Sequence, residues 1–284
     1  MNINPIKAIT REYVPMRMNA SPAQRDELLQ QMVKRSEGLF NKGKKRISIQ
    51  DIQSHLDITY PNQNITMETL TDAGLATGAT MDPKINNETN KVCGSTIYMK
   101  FKNGSIKNNM KNKIMFIHEL SHSCELSTNP KLRKLDQKLL SNELQMTSNR
   151  LQKLYFAESG FQDDINRTYS SIVYPRVMIV FKPKKFEKEI SKALECHENS
   201  DKITFLKVFA FRLNSEIKAY KNGIQIGGES KNPFQYTQKI LLDKLVLGNN
   251  GLHLDKRLKV TQKMLADAIQ QERKTNAEKL NTKI

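Results

Sequence analysis

One short run, His118-Glu119-Leu120-Ser121-His122, constrains the local fold and chemistry of this chain more than any other feature. Its two histidines are four residues apart, so on an α-helix they lie on one face, within reach of one tetrahedral metal ion. Glu119 follows the first histidine directly, where its carboxylate can act as general base on a metal-bound water. The pattern therefore predicts a helix that carries a Zn²⁺ site.

The residues on either side of the motif predict where this helix begins and ends, and which face it buries. Asn108-Asn109 provides a capping signal before it, and Thr128-Asn129-Pro130 predicts its end. Ile117, Leu120 and Cys124 fall at helical spacing and form an apolar stripe. A helix that buries this stripe would hold both histidines in a fixed position.

The composition indicates a polar globular protein without a disulfide framework. Apolar residues make up 38% of the 284 residues, and no apolar run of about 18 residues predicts a membrane span. The first residues lack the apolar stretch of a secretory signal peptide. Only three cysteines occur, which favours a reducing compartment. We therefore expect no Sec signal, and a protein that is cytoplasmic or exported by a specialised system.

The strong positive charge is the property of the composition that indicates a partner. The formal net charge is +17, and a basic surface suits nucleic acid, an anionic membrane or an acidic protein. The lysines are spread along the chain, aromatic residues do not alternate with them, and tryptophan is absent. We therefore interpret most of the charge as a solvated basic surface. As partner we expect a protein substrate with an acidic surface rather than nucleic acid.

The rest of the pattern predicts an α+β fold that is mostly helical. Thr96–Phe101 alternates apolar and polar residues and predicts a strand, at the edge or in the interior of a small sheet. At an edge beside the metal, this strand could pair with an extended peptide. Residues 61–90 are rich in Thr, Asn and Gly and predict loops with one short strand. Helices are predicted over residues 21–40, 48–55, 131–158, 186–196, 203–222 and most of 233–280.

A catalytic zinc site needs a third protein ligand, which the residues next to the motif do not supply. Glu143, Glu158 and Glu216 are the candidates, each on a predicted helix. We favour Glu216, because Ala219 allows close approach of a second helix and Tyr220 lies one turn further on the same face. From there the Tyr220 hydroxyl could donate a hydrogen bond to a developing oxyanion.

Three further residues are less direct candidates for the site. Glu125, one turn beyond His122, is expected to be either a hydrogen-bond partner of a metal ligand or a surface charge. His197 and His253 could donate a hydrogen bond to a transition state. A single histidine is more often structural or exposed, so we leave these two outside the predicted site.

Three pieces of the chain together resemble the gluzincin type of zinc metallopeptidase. They are the strand Ser95–Phe101, the motif His118-Glu119-Leu-Ser-His122 and the segment Glu216-Ile-Lys-Ala-Tyr220. The resemblance implies that the two histidines and Glu216 bind Zn²⁺ and that Glu119 is the catalytic base of an endopeptidase. Within this type the chain is most similar to small effector metallopeptidases that bacteria inject into host cells, which implies a host protein substrate and a role in virulence.

The same resemblance refines the predicted architecture. It implies a zincin-like active-site helix that packs against a small sheet with an edge strand. Residues 61–230 would form this peptidase core, with a helical insertion at about 131–200. Helical segments at residues 1–60 and 231–284 would flank it, all within one compact unit.

Two other interpretations are also open. Peptide deformylases use H-E-x-x-H with an upstream cysteine as third ligand, a position that Cys93 could imitate. A basic nucleic-acid-binding or scaffold protein with an incidental motif would bind no metal, and its affinity for nucleic acid would fall steeply with salt. The metal content of the purified protein distinguishes this last interpretation from the zinc peptidase.

Overall fold

The computed structural model describes residues 21–40, 43–70, 79–86, 88, 91–128, 181–227 and 253–281. Contacts between residues divide the chain into two compact units. The first comprises Met1–Pro130 and Ala219–Ser230, and the second comprises Lys131–Lys218 and Lys231–Ile284. The three segments predicted from the sequence, with boundaries near residues 60 and 230, stay a prediction.

The first unit combines helices with short strands. Its elements before the unit boundary are α1 (Pro22–Lys34), α2 (Glu37–Phe40), β1 (Arg46–Ser48), α3 (Ile49–Thr59), β2 (Ile65–Thr69), β3 (Ala79–Asn86), β4 (Lys91–Met99), β5 (Ser105–Lys107) and α4 (Met110–Thr128). The described residues thus confirm the predicted α+β class with a mostly helical content.

Two of these helices begin at capping boxes, close to the starts predicted at residues 21 and 48. Ser21 precedes α1, and its hydroxyl accepts a hydrogen bond from the Gln24 N–H at 3.3 Å. Ser48 precedes α3 and accepts from the Asp51 N–H at 3.0 Å. In both cases the side chain of the third residue accepts from the serine N–H in return. Each box satisfies donors that the first turn of a helix leaves without intrahelical partners.

The main sheet has three strands in the order β2-β4-β3. Strand β4 pairs with β2 in parallel and with β3 in antiparallel orientation. Strand β4 contains most of the strand predicted over residues 96–101. The predicted strand therefore lies inside the sheet, and the alternative prediction of an edge strand is wrong. Strands β2 and β3 lie within residues 61–90, where the sequence predicted only one short strand. The central strand buries Ile97 and Met99 on one face, as its alternation predicted.

A second, two-stranded sheet leads the chain into α4. Strand β1 pairs antiparallel with β5, and the Arg46 side chain donates hydrogen bonds to the Lys102 carbonyl and the Ser105 hydroxyl. Lys102 and Ser105 also exchange backbone hydrogen bonds at 3.0 and 3.3 Å across the turn at Asn103-Gly104. Asn103 and Gly104 both have positive φ, as in the turns that suit tight hairpins. The start of α4 is therefore tied to a segment far earlier in the chain.

The described part of the second unit is helical. Its helices are α5 (Pro183–Ala193), α6 (Asn199–Asn222) and α7 (Leu254–Asn281), and α6 continues as a π-helical turn, Gly223–Gly227. The last turn of α6 and the π-helical turn belong to the first unit. Helices predicted over residues 131–158 and 233–252 lie outside the described residues.

Aromatic packing around one arginine holds α5 and α7 together. The guanidinium carbon of Arg257 lies 5.3 Å from the ring centroid of Phe181 and 5.0 Å from that of Phe186. Phe186 also packs on Phe209 of α6. Arg257 is buried, so its charge is stabilised in part by the faces of these rings. Of the helices in the described part of the chain, none has the length and apolar character needed to cross a bilayer.

Candidate metal centre

Two asparagines fix the start of helix α4, the helix that carries the histidine motif. Asn109 is its cap, and its side-chain oxygen accepts a hydrogen bond from the Asn112 N–H at 3.0 Å. The Asn108 side chain donates to the carbonyls of Phe40 at 2.9 Å and Lys44 at 2.8 Å. These hydrogen bonds set the position of the helix start relative to the segment between α2 and β1.

The apolar face of α4 fixes how the helix is rotated about its axis. Phe116, Ile117, Leu120 and Cys124 are fully buried and belong to one hydrophobic core. The helix packs against α1, β3, β4 and the π-helical turn. Rotation of α4 would expose these side chains, at a cost of about 25 cal/mol for each Å² of apolar surface. The packing therefore decides where the two histidines of the motif lie.

His118 and His122 are brought together as the spacing predicted. Their Nε2 atoms are 3.2 Å apart, and their ring planes are inclined at 80°. Two nitrogens bound to one tetrahedral zinc, each at about 2.0–2.1 Å, would be about 3.3 Å apart. The same distance fits an N–H···N hydrogen bond between two neutral rings. The separation of the two nitrogens is therefore close to that of a pair of zinc ligands.

The described residues contain one group able to hold a metal ion, and its members are His118, His122 and Glu216. One ligand atom from each side chain lies within 4.8 Å of those of the other two. His118 is buried, and the other two are half-buried. Two imidazole nitrogens and one carboxylate oxygen form a donor set that catalytic zinc sites use. Glu216, the glutamate favoured from the sequence, therefore lies beside the two histidines, and its role as a metal ligand stays a prediction.

Tyr220 faces the same histidine pair. Its ring centroid lies 4.2 Å from that of His118, with the planes inclined at 55°, and the side chain is buried. Because Glu216 and Tyr220 are one turn apart on a continuous helix, both side chains lie on the face of α6 that meets the motif. The ring of Tyr220 thus lies beside one histidine of the motif, and the role predicted for its hydroxyl stays a prediction.

Two glutamates of α4 flank the histidines. Glu119 follows His118 directly and is half-buried, and its role as a catalytic base stays a prediction. Glu125, one turn beyond His122, is only 4% exposed. The prediction of a surface charge is therefore wrong for Glu125, and its alternative, a carboxylate that supports a metal ligand, stays a prediction.

The first turn of α4 carries two lysines, one of them with a perturbed pKa. Burial lowers the pKa of Lys111, which is half-buried, because desolvation disfavours its charged form. Lys113 is also buried. Positive charge at a helix start is opposed by the helix dipole, so these lysines do not serve to stabilise α4 through that dipole.

The remaining candidates do not join the group. Cys93 is exposed, and its thiol lies 3.6 Å from the carbonyl oxygen of Lys84, which leaves the deformylase-like third ligand without support. His197 and His253 lie in the second unit and are not part of the metal-binding group. Glu143 and Glu158, the alternative third ligands, lie outside the described residues.

The π-helical turn is the part of the site that the sequence did not predict. Gly223 was expected to end the helix, whereas the chain continues as a π-helix through Gly227. The signal in the sequence was the pair Gly223 and Gly227. Two small residues four positions apart lie on one face of a helix and allow a second helix to approach closely.

Comparisons with family models, with curated proteins and with solved structures find no match to this chain. The geometry of the three metal-binding side chains and the residues around them is therefore the basis for assigning a function.

Proposed function

We propose that this protein is a zinc-dependent endopeptidase. The observation that carries the proposal is the 3.2 Å separation of the His118 and His122 Nε2 atoms, with a Glu216 carboxylate oxygen within 4.8 Å of both. Three protein ligands leave one tetrahedral position for water, which is the arrangement of a catalytic rather than a structural zinc site. The resemblance of the motif segments to gluzincins supports the same assignment.

In the proposed mechanism His118, His122 and Glu216 would hold Zn²⁺, which would supply Lewis-acid chemistry by lowering the pKa of a coordinated water towards neutrality. Glu119 accepts the proton from that water and passes it to the leaving amine of the cleaved peptide bond. Tyr220 donates a hydrogen bond to the oxyanion that develops on the substrate carbonyl. Glu119 must stay off the metal to do this, and its place one residue beyond His118 puts it about 100° round the helix from that ligand.

An acidic protein segment in extended conformation is the substrate that we propose. Strand β3 lies at the edge of the main sheet as far as the structure describes it, and α4 packs against it. Strand β3 also contains Pro83, a residue that sheets accommodate at their edges. An extended peptide could add to this edge beside the metal, and the net charge of +17 favours acidic sequences. A host protein as substrate follows only from the likeness to injected effectors.

Three matched glutamate-to-glutamine variants test the proposal. Wild-type protein is expected to bind about one zinc per chain and to cleave an acidic reporter protein. Glu216→Gln should lose most zinc, since a neutral amide is a poor ligand for a dication. Glu119→Gln should keep its zinc and lose cleavage by about 10³-fold or more. The control, Glu27→Gln on the exposed side of α1, should match wild type.

Zinc content by elemental analysis and cleavage rates from the same preparations decide the result. Unchanged zinc in Glu216→Gln would remove Glu216 from the ligand set. Full cleavage by Glu119→Gln would contradict the mechanism even if zinc is bound.

A basic nucleic-acid-binding protein is the second candidate function, and one observation favours it. The exposed side of α5 carries a cluster of lysines, Lys184, Lys185, Lys188 and Lys192. Nucleic-acid binding by this helix would weaken steeply between about 50 and 200 mM salt. Substitution of Lys188 and Lys192 by glutamine would weaken such binding without changing zinc content.

A further inference from the structure

The C-terminal end of α6 approaches the motif helix more closely than ordinary side chains would permit. At Gly223 the helix widens into a π-helical turn that runs to Gly227, and both glycines are buried. This turn packs against α4 within the first unit. π-helical turns are rare and occur often at functional sites, because they shift the direction of the residues around them.

Both glycines meet the same residue of α4. A Cβ atom on Gly227 would lie 2.8 Å from the Ile114 Cα and 2.9 Å from its backbone nitrogen. A Cβ atom on Gly223 would lie 3.0 Å from the Ile114 carbonyl oxygen and 3.7 Å from the His118 Cβ. The close neighbours are largely backbone atoms of a helix, which cannot rotate away as a flexible side chain can. A side chain at either position would therefore push the two helices apart.

The closeness of this contact bears on the metal site because Ile114 is one helical turn before His118. Tyr220 is three residues before Gly223, on the same face of the helix, and its ring lies 4.2 Å from that of His118. Glu216 is one further turn back on the same helix. Metal ligands must be placed to within about 0.2 Å of their ideal distances. A shift of α6 by one methyl group is larger than that tolerance.

We propose that Gly223 and Gly227 are positioning residues for the metal centre. Without touching the metal, they set how closely the last turn of α6 approaches α4, and through it the positions of Tyr220 and, one turn earlier on the same helix, Glu216. The inference rests on the proposed metal-dependent function. A purely structural role for the glycines would affect the stability of the fold and leave metal affinity unchanged.

Alanine substitutions at three glycines test the proposal on the full chain, with Co²⁺ as the metal probe. Gly227→Ala is expected to weaken Co²⁺ binding by about 10–100-fold, the range typical for partners that orient metal ligands. Gly223→Ala should have a smaller effect in the same direction, because its contacts are longer. The control is Gly38→Ala in α2, where an added Cβ would meet nothing within 4 Å. It should bind Co²⁺ as wild type does.

A second control separates positioning from stability. Leu56→Ala, in α3, removes a buried side chain from the same unit, and its folded fraction should bind Co²⁺ with wild-type affinity. If Gly227→Ala fails to fold, the Co²⁺ affinities of Gly223→Ala and Leu56→Ala are compared instead. Equal Co²⁺ affinity of the Gly223, Gly227 and Gly38 variants would overturn the proposal.

A measurement on metal-free protein makes the outcome independent of the proposed function. The nuclear Overhauser effect between the His118 and Tyr220 rings reports whether the two helices keep their approach. It should be lost or weakened in Gly227→Ala and retained in Gly38→Ala and Leu56→Ala. If wild-type protein binds no Co²⁺, then the metalloenzyme function fails, and retention of this ring contact in Gly227→Ala would still refute the positioning role.

Discussion

The two faces of helix α4 show two ways in which a sequence fixes atoms in space. The apolar face, with Phe116, Ile117, Leu120 and Cys124, is held by many weak contacts with several elements. The opposite face depends on a few polar atoms at set distances, among them the Nε2 atoms of His118 and His122. Packing of the first kind tolerates changes that conserve volume, whereas a ligand atom has no substitute. We therefore expect mutations on the apolar face to lower the stability of the fold, and mutations on the polar face to lower metal binding.

The largest effect is expected from removal of a histidine of the polar face. Either His118→Ala or His122→Ala should abolish stoichiometric zinc binding and cleavage together, because two ligands do not hold zinc as three do. The secondary structure should be kept, since the apolar face is unchanged. Elemental analysis, circular dichroism and cleavage rates check this, with His197→Ala as the control. Full zinc occupancy in both variants would end the assignment.

A substitution on the apolar face should show the reverse pattern. Leu120→Ala is expected to lower the free energy of unfolding by about 2–5 kcal/mol, through lost burial and the cavity that remains. Its folded fraction should bind zinc with the wild-type stoichiometry. Denaturant unfolding and metal analysis measure the two quantities, and Leu120→Met should cost less than about 1.5 kcal/mol. Loss of zinc from folded Leu120→Ala would show that the two faces are not independent.

The smallest effect is expected at Tyr220, whose ring packs against His118 on the polar face. Tyr220→Phe keeps the ring that packs at 4.2 Å from His118 and removes only the hydroxyl. Zinc content and stability should be unchanged, and the catalytic rate constant should fall by about 10–10³-fold if the hydroxyl holds the oxyanion. An equal rate for the two proteins would make Tyr220 a packing residue.

The features that the sequence predicted well are governed by neighbours along the chain. The helix starts at Ser21, Ser48 and Asn109 depend on hydrogen bonds to residues three positions away, and a helix begins directly after each. The spacing of the two histidines likewise determines their approach once α4 is a helix. Glu216 could be favoured over other glutamates because Ala219 and Tyr220 occupy the same helical face.

The features that the sequence did not predict depend on segments distant in the chain. Nothing in the alternation of β4 indicates whether one or two strands pair with it, because both edges of a strand offer the same backbone groups. Strands β2 and β3 were missed in part because their Thr and Asn residues also suit loops. Gly223 by itself predicts a helix end, whereas the chain continues as a π-helical turn that lies close against Ile114, a residue more than 100 positions earlier.

The proximity of the two histidines in sequence has a thermodynamic consequence. Any chain in which this short stretch becomes helical, even one otherwise unfolded, can bind a metal ion through both rings, whereas Glu216 and Tyr220 join them only in the native fold. A ligand that also binds the unfolded state stabilises the native state by less than its full affinity suggests. The stabilisation that zinc confers would therefore be set by the ratio of its affinity for three ligands to its affinity for the histidine pair. Excess metal would raise the melting temperature towards a plateau.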